Sequence, residues 1–476
     1  MKKLYIYLSL AALTALASCK KEFLNQSPPA AIPVSGAIKT PTDLNEAVNG
    51  MYATMSRTNF FGRDIPILGD LLPDNIYISY NNAGRYQAEN NYTFTATNGE
   101  ANDIYSQGYY SILQANRIIA ANVASNDDVK QLKGEAYAAR ALCYLELVNF
   151  FAKPYTVDPN ADGVPIITVP TSPATAFTKP ARAKVSDVYN KIISDLDSAF
   201  MLMPEAGTSL HNTNSYYIAK HAVKAIEARV YLYKGDYANA KTAALDVVNN
   251  GGYTLTNADN LAAYWANPAG VSNLTETIFE LALTTANNNN FDGLDYFYSQ
   301  DGYGDALVTQ DLYSKYAATD ARKGLIYEGD HLGDPALVNN KYSNVTNPSD
   351  KDDIKIIRYA EVLLTLAESY ARTTDNINAL IYLNELAKKR DPAFAGYTST
   401  GAQLITDILN ERRKELAFEG LRYFDFTRLN LNIVRPQQDD SAPSIELVPV
   451  GNNKRILPIP QAEIDANSNT KQNPGY

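Results

Sequence analysis

Ala222-Val223-Lys224-Ala225-Ile226-Glu227-Ala228-Arg229-Val230-Tyr231-Leu232-Tyr233-Lys234-Gly235-Asp236-Tyr237 is the stretch that decides the fold class. Its alanines recur at 222, 225 and 228, a spacing that gathers them on one side of a helix. Small side chains there let a second helix approach closely. Gly235 can close the first helix in a left-handed conformation. Asp236 can cap the next one, whose own small residues are Ala240, Ala243 and Ala244. Helix, short break and facing helix is the logic of a tetratricopeptide pair. The same grammar returns at Leu363-Leu364-Thr365-Leu366-Ala367-Glu368-Ser369-Tyr370-Ala371, with a break near Thr374-Asp375-Asn376 and helix again from Ala379 to Leu386. The pairs are irregularly spaced, which predicts a mainly α protein with helix pairs packed into one globular body, not an open solenoid.

Outward from that centre, Tyr105, Tyr109, Ile112, Leu113, Asn116 and Ile119 share one helical face, as do Leu132, Ala136, Ala139, Leu142, Cys143 and Leu147. Thr42 is placed to cap a helix through Asp43 and Glu46, and Ser186 to cap Asp187 to Phe200. Between these runs, Gly163-Val164-Pro165-Ile166-Ile167 reads as an irregular crossing with some strand character. Two stretches read as long loops: Gly69 to Gly99, rich in Asn, Gly and Tyr, and Gly251 to Tyr342, with Asn287-Asn288-Asn289-Asn290 and Asp301-Gly302-Tyr303-Gly304. Loops of that length in a compact protein usually carry function.

The chain opens with Lys2-Lys3, an apolar run from Leu4 to Leu16, and Leu16-Ala17-Ser18-Cys19. The run is too short to span a bilayer, so it reads as a secretory signal. Small residues directly before a cysteine resemble a bacterial lipobox. That resemblance implies cleavage after residue 18 and acylation of Cys19. At roughly 0.8 kcal/mol per buried methylene, several acyl chains would hold the protein at a membrane surface. Cys143 is then left without a partner, as a small core hydrophobe. The chain carries 42 basic against 52 acidic side chains, and a cleaved signal would take Lys2 and Lys3 with it. That balance argues against nucleic acid and against electrostatic docking on anionic lipid. Tyrosine is unusually common, 34 residues against one tryptophan, Trp265.

Ile357-Arg358-Tyr359-Ala360-Glu361-Val362-Leu363-Leu364, followed by Ala367-Glu368, resembles the signature helix of the SusD/RagB family. Ile408-Leu409-Asn410-Glu411-Arg412-Arg413-Lys414-Glu415-Leu416-Ala417-Phe418-Glu419-Gly420, with Arg422-Tyr423 and Asp425, is similar to its second hallmark. Leu457-Pro458-Ile459-Pro460 through Asn473-Pro474-Gly475-Tyr476 resembles its usual ending. The resemblance implies a signal peptide over 1–18, a lipidated tether over 19–40 and a SusD-like domain over 41–476. Within the domain it implies an N-terminal half to about residue 255, a loop-rich insertion over about 256–345 and a signature half over about 346–476. It further implies an outer-membrane lipoprotein that is not an enzyme and lies as a lid over a SusC-like TonB-dependent transporter. Such a lid binds nutrient, usually oligosaccharide and sometimes peptide.

The charged hallmark residues Glu411, Arg412, Arg413, Glu415, Glu419, Arg422 and Asp425 could be read as catalytic. Glu411, Glu415 and Glu419 fall one turn apart on the same face with arginines between them, which fits ion-paired helix surfaces better. Arg358 and Glu361 read the same way. His211, His221 and His331 are isolated from one another, so no metal site is expected. The glycines around Asp301 and Asp305 fit turns better than a calcium loop, and no phosphate-cradling loop or nucleophile elbow calls for a cofactor.

The aromatic residues of the two loops carry the functional expectation. A pyranose presents a flat face of C–H groups to a ring and its hydroxyls to nearby amides and guanidinium groups. The expected ligand platform is Tyr77, Tyr80, Asn81, Arg85, Tyr86, Trp265, Tyr296 and Tyr298, with Asn75 and Asn82 at its rim. Peptides could use the same surface, and the scarcity of tryptophan keeps them open. A helical-repeat scaffold that binds no ligand is the remaining alternative, and a glycosidase would need paired carboxylates at a cleft.

Overall fold

The computed structural model describes residues 36–172, 175, 177–266, 275–345, 352–438 and 445–476. The signal, Cys19 and most of the tether lie outside the described residues. The first helix, α1 (Pro41–Met55), is capped by Thr40 and not by Thr42. The Thr40 hydroxyl accepts from the Asp43 amide at 3.1 Å, and the Asp43 carboxylate accepts from the Thr40 amide at 2.9 Å. This reciprocal box leaves Thr42 inside the helix. Next come α2 (Asp64–Leu71), α3 (Gly99–Ala120), α4 (Asp127–Phe151) and α5 (Val185–Leu202). Helix α5 begins one residue before Ser186, with Lys184 at its cap position and no side-chain cap.

The central pair is α6 (Lys220–Lys234) and α7 (Tyr237–Asn250). Gly235 takes φ 76° at the junction, and the Asp236 side chain accepts from the Asn239 amide at 3.2 Å. Ala222, Ala225, Ala228, Ala240, Ala243 and Ala244 are all buried between the helices. The second pair is α8 (Tyr359–Arg372) and α9 (Asn376–Arg390), with Asp375 capping α9 through the Asn378 amide. Then follow α10 (Gly401–Leu416), α11 (Arg422–Arg428) and α12 (Gln461–Ala466). Helix α8 packs on α7, α9 and α10, so the two pairs share one interface. Cys143 is buried and unpaired in α4, and burial pushes its thiol pKa up.

β-Structure is confined to antiparallel two-stranded ribbons among the described residues. β1 (Ile76–Ile78) pairs with β3 (Ala306–Val308), and β2 (Thr277–Leu281) pairs with β6 (Ile354–Arg358), which runs directly into α8. β4 (Ile326–His331) and β5 (Asp334–Asn339) form a hairpin. Its turn, Leu332-Gly333, has positive φ at both residues, 55° and 100°, which matches the twist of the flanking strands. The short ribbon β7 (Ile433–Val434) with β8 (Leu447–Val448) completes the set.

The stretch from Gly69 to Gly99 is therefore not one long loop. It contains the end of α2, β1 and a short helix over Gln87–Asn90. The crossing at 163–167 carries one isolated bridge next to it, Asp162 with Lys184, and no strand.

One large hydrophobic cluster runs from Leu44 to Ile459 among the described residues. Sequence-distant segments are also sewn together through backbone groups. The Leu457 amide donates to Phe150 O at 2.7 Å, and the Gln461 amide to Ala96 O at 2.8 Å. Gly69 and Gly420 meet where α2 passes the end of α10. A Cβ on Gly69 would lie 1.9 Å from Gly420 O, and one on Gly420 would lie 2.6 Å from Pro66 Cα.

Candidate functional site

The charged hallmark forms a buried ionic core, not the ion-paired helix surface its spacing suggested. Glu415 Oε1 accepts from Arg358 and Arg390, each at 2.9 Å, and Oε2 from Arg390 at 3.0 Å and Arg322 at 3.1 Å. Glu276 receives Arg358 and Arg390 at 2.6 Å. Glu419 receives Arg358 at 2.6 and 2.7 Å and Lys341 at 2.9 Å. Nearby, Arg428 joins Glu368 to Asp425, Arg412 bonds Asp425, and Arg229 binds Glu361. Arg413 and Arg422 both reach Asp74. Burial alone would raise the Glu415 carboxyl, but Arg390 and Arg358 hold it well below its usual range. The same opposition brings Glu368 down to about 2, through Arg428 and Arg372. A carboxylate locked by guanidinium groups on both oxygens is a poor proton donor at neutral pH. These residues hold the fold.

Trp265 belongs to that core. It is buried, edge-on to Tyr264 and Tyr342, with Lys341 at 4.4 Å and Lys355 and Arg358 at 5.1 Å from its ring centroid. Its electron-rich ring is a cation partner here, not a ligand platform. Tyr298 is buried as well, stacked on Tyr342 at 6.1 Å and against Phe418. Tyr77 lies on β1 in a small buried cluster with Leu307, Ala336 and Val338. Tyr86 is buried with its ring edge on Phe297, and its hydroxyl donates to Asp64 and accepts from Arg63 Nε at 2.9 Å. Asn75 is buried too, donating to Asp70 at 2.6 Å. Tyr77 sits on β1, Trp265 and Tyr298 end the short helices Leu261–Trp265 and Leu294–Tyr298, and Asn75 and Tyr86 lie one residue before β1 and the helix Gln87–Asn90.

Tyr80, Asn81, Arg85 and Tyr296 remain at the surface, and three of them join an arrangement of rings and polar groups. Tyr296 meets Tyr303 edge-on at 4.8 Å and Phe291 at 5.5 Å, and Phe291 is 69% exposed. The Arg85 guanidinium lies 3.5 Å from the Tyr303 centroid and donates to Asp305 at 3.2 Å. Gly302 allows the turn that brings the two tyrosines together, since a Cβ there would sit 2.2 Å from Tyr296 O.

The polar margin is fixed by cross-links between loops. Asn81 Nδ2 donates to Asp334 at 3.0 Å. His331 Nε2 contacts Asn81 O at 3.0 Å, and its Nδ1 contacts Gln300 at 2.8 Å. At the hairpin tip Leu332 is 75% exposed in a left-handed conformation, a cost that a β-hairpin turn normally avoids with Asn or Gly. Tyr80, beside Asn81, is 67% exposed. The result is a strip of rings, exposed at Phe291 and half-buried at Tyr296 and Tyr303, with a guanidinium, an amide and carboxylates beside it. Phe291, Asp305, His331 and Asp334 were not singled out as site residues by the sequence. The run of asparagines before Phe291 is the signal that could have marked a surface ring there.

Residues 22–232 match a family model described as starch-binding and associating with the outer membrane, and residues 336–476 match the model of the SusD family. SusD-like protein P2 of Formosa agariphila is 28% identical over 532 aligned residues, covering 100% of both chains. Among solved structures, a putative sugar binding protein from Bacteroides vulgatus superposes with a TM-score of 0.83 at 28% identity, over 92% of this chain and 99% of that one. A SusD superfamily protein from Bacteroides thetaiotaomicron gives 0.81 at 28% identity, over 91% and 100%. The chain belongs to the SusD/RagB family.

Proposed function

We propose that this protein is a cell-surface lipoprotein, anchored through Cys19, that captures nutrient oligosaccharide and passes it to a SusC-like TonB-dependent transporter in the outer membrane. The observation that carries this reading is the strip of exposed Phe291 and half-buried Tyr296 and Tyr303, with Arg85 against Tyr303. A sugar ring stacking on Tyr296 or Phe291 would place its hydroxyls within reach of polar groups already positioned by their own hydrogen bonds, which lowers the ordering cost of binding. The names of the related proteins and family models, starch-binding and sugar binding, agree with a saccharide.

The test is calorimetric titration of the mature chain lacking Cys19 with fractionated oligosaccharide and peptide pools. Heat from a saccharide fraction, lost in Tyr296→Ala/Tyr303→Ala, is the expected result. Heat from peptides alone would reassign the strip to oligopeptide capture. Failure of a large β-barrel protein to co-purify from native outer membranes would remove the transporter from the proposal.

A further inference from the structure

A cleft of about 700 Å³ lies between α3, the stretches 165–172 and 177–180, and α12. Its size falls in the usual range for small-ligand sites, roughly 300–1,000 Å³. One wall is aromatic, with Tyr105, Tyr109 and Tyr110 from α3 facing Phe177 from the second stretch. Tyr110 is 50% exposed and Phe177 is 90% exposed.

Both stretches are held by side chains that grip their main chain. Tyr109 donates to Pro165 O at 2.8 Å and Tyr144 to Ile167 O at 2.8 Å. Asn116, fixed from behind by Arg140, donates to Ile167 O at 3.0 Å. On the second stretch Asn467 donates to Pro180 O at 2.8 Å and Asn469 to Lys179 O at 2.7 Å. The walls are thus built, while the space between them is left unfilled. Ala462 and Ala466 line it from α12, and larger side chains there would narrow it. The Tyr105 hydroxyl is buried in the wall, where it interacts with the hydroxyl of Tyr109.

The lining selects among ligand classes. Lys179 and Glu463 are its charged side chains, and Glu463 is already engaged by Asn467 and Thr470. An anion would find one exposed lysine and a carboxylate. An acyl chain would strip water from Asn102, Ser106 and Thr178 without replacing their hydrogen bonds. A neutral molecule with flat apolar faces and a hydroxyl rim satisfies both walls. We infer that this cleft is a second ligand site, separate from the aromatic strip, that holds a short neutral saccharide between Tyr105, Tyr110 and Phe177.

The experiment uses the chain with Cys19→Ser carrying Tyr296→Ala/Tyr303→Ala, so that the strip is disabled. Maltotriose, cellotriose, xylotriose and mannotriose are the probes, read by saturation-transfer NMR and calorimetry. Sodium laurate and inorganic phosphate serve as the apolar and anionic comparisons. The expected result is that at least one trisaccharide still binds, with transfer to aromatic protons. Its affinity should fall at least tenfold on adding Tyr110→Ala, a half-exposed position that leaves the fold intact. Binding of no trisaccharide, binding indifferent to Tyr110→Ala, or binding of laurate or phosphate alone would overturn the inference. Wild-type binding abolished by the strip variant would leave the strip as the sole saccharide site, so failure here is distinct from failure of the proposed function.

Discussion

Around Glu415, three arginines from different segments converge on one carboxylate and no face of it is left open. Around Tyr296, rings pack edge to face, with Phe291 exposed and Tyr296 and Tyr303 half-buried. Both regions gather side chains that chemistry could use, yet their environments give them opposite tasks. A group whose hydrogen bonds and charges are met inside the protein contributes rigidity. A group whose surface is left unmatched is available to a ligand. The contrast explains why the densest charge in the molecule is structural and the sparse polar margin at Asn81, Arg85 and Asp334 is the candidate site.

Removing the centre of the ionic core should have the largest effect. Glu415→Ala leaves Arg322, Arg358 and Arg390 buried without their shared partner, and breaking a buried ion pair costs about 3–5 kcal/mol. Denaturant unfolding followed by the fluorescence of Trp265, the sole tryptophan, reads this directly because its ring lies against Lys341, Lys355 and Arg358. An unchanged midpoint would mean that the network does not hold the two regions apart in role.

Acid should act on the same core. Glu368, held at about 2, and Glu415, held well below its usual range, contribute stability that is present above their unfolded value. That contribution is lost as pH falls from about 4.5 toward 2. Unfolding monitored over that window should move to higher pH in Arg428→Met; an unmoved transition would show that Arg428 does not set it.

Glu89 runs the other way. Burial and the neighbouring Glu100 push it up to about 8. Its favourable term is complete below the unfolded carboxyl value and is lost as pH rises toward 8. Glu89→Gln should therefore stabilise the chain more at pH 8 than at pH 5 in thermal melts. Equal melting at both pH values would count against a raised carboxyl.

At the strip the effects on stability should be small and the effects on binding large. Tyr296→Ala/Tyr303→Ala should lower saccharide affinity at least tenfold while shifting stability by about 1 kcal/mol. Tyr80→Ala, smallest of all, should leave stability within about 0.5 kcal/mol. A large loss of stability from either would place those rings in the structural class with Trp265.

The helix pairs were legible because periodicity and the Gly235-Asp236 junction are local signals. The fate of the loop tyrosines was not. Whether Tyr77 or Tyr80 faces solvent depends on β1 finding β3, more than two hundred residues away in sequence, and a short ribbon leaves little pattern. The partners of the hallmark glutamates were equally hidden, since Glu276 and Arg390 are 114 positions apart. Local spacing revealed the charges of α10 but not that distant arginines would bury them.

The meeting of Gly69 with Gly420 has a consequence for how this protein can vary. Most core contacts can be renegotiated, with one side chain growing as its neighbour shrinks. Here both partners already carry a single hydrogen, and each backbone occupies the place a Cβ would take. No second-site change within the contact can make room, so Gly69→Ala and Gly420→Ala have no reciprocal rescue. Descendants of this chain can rebuild its loops around a new ligand, but any that keep this crossing must inherit both glycines together.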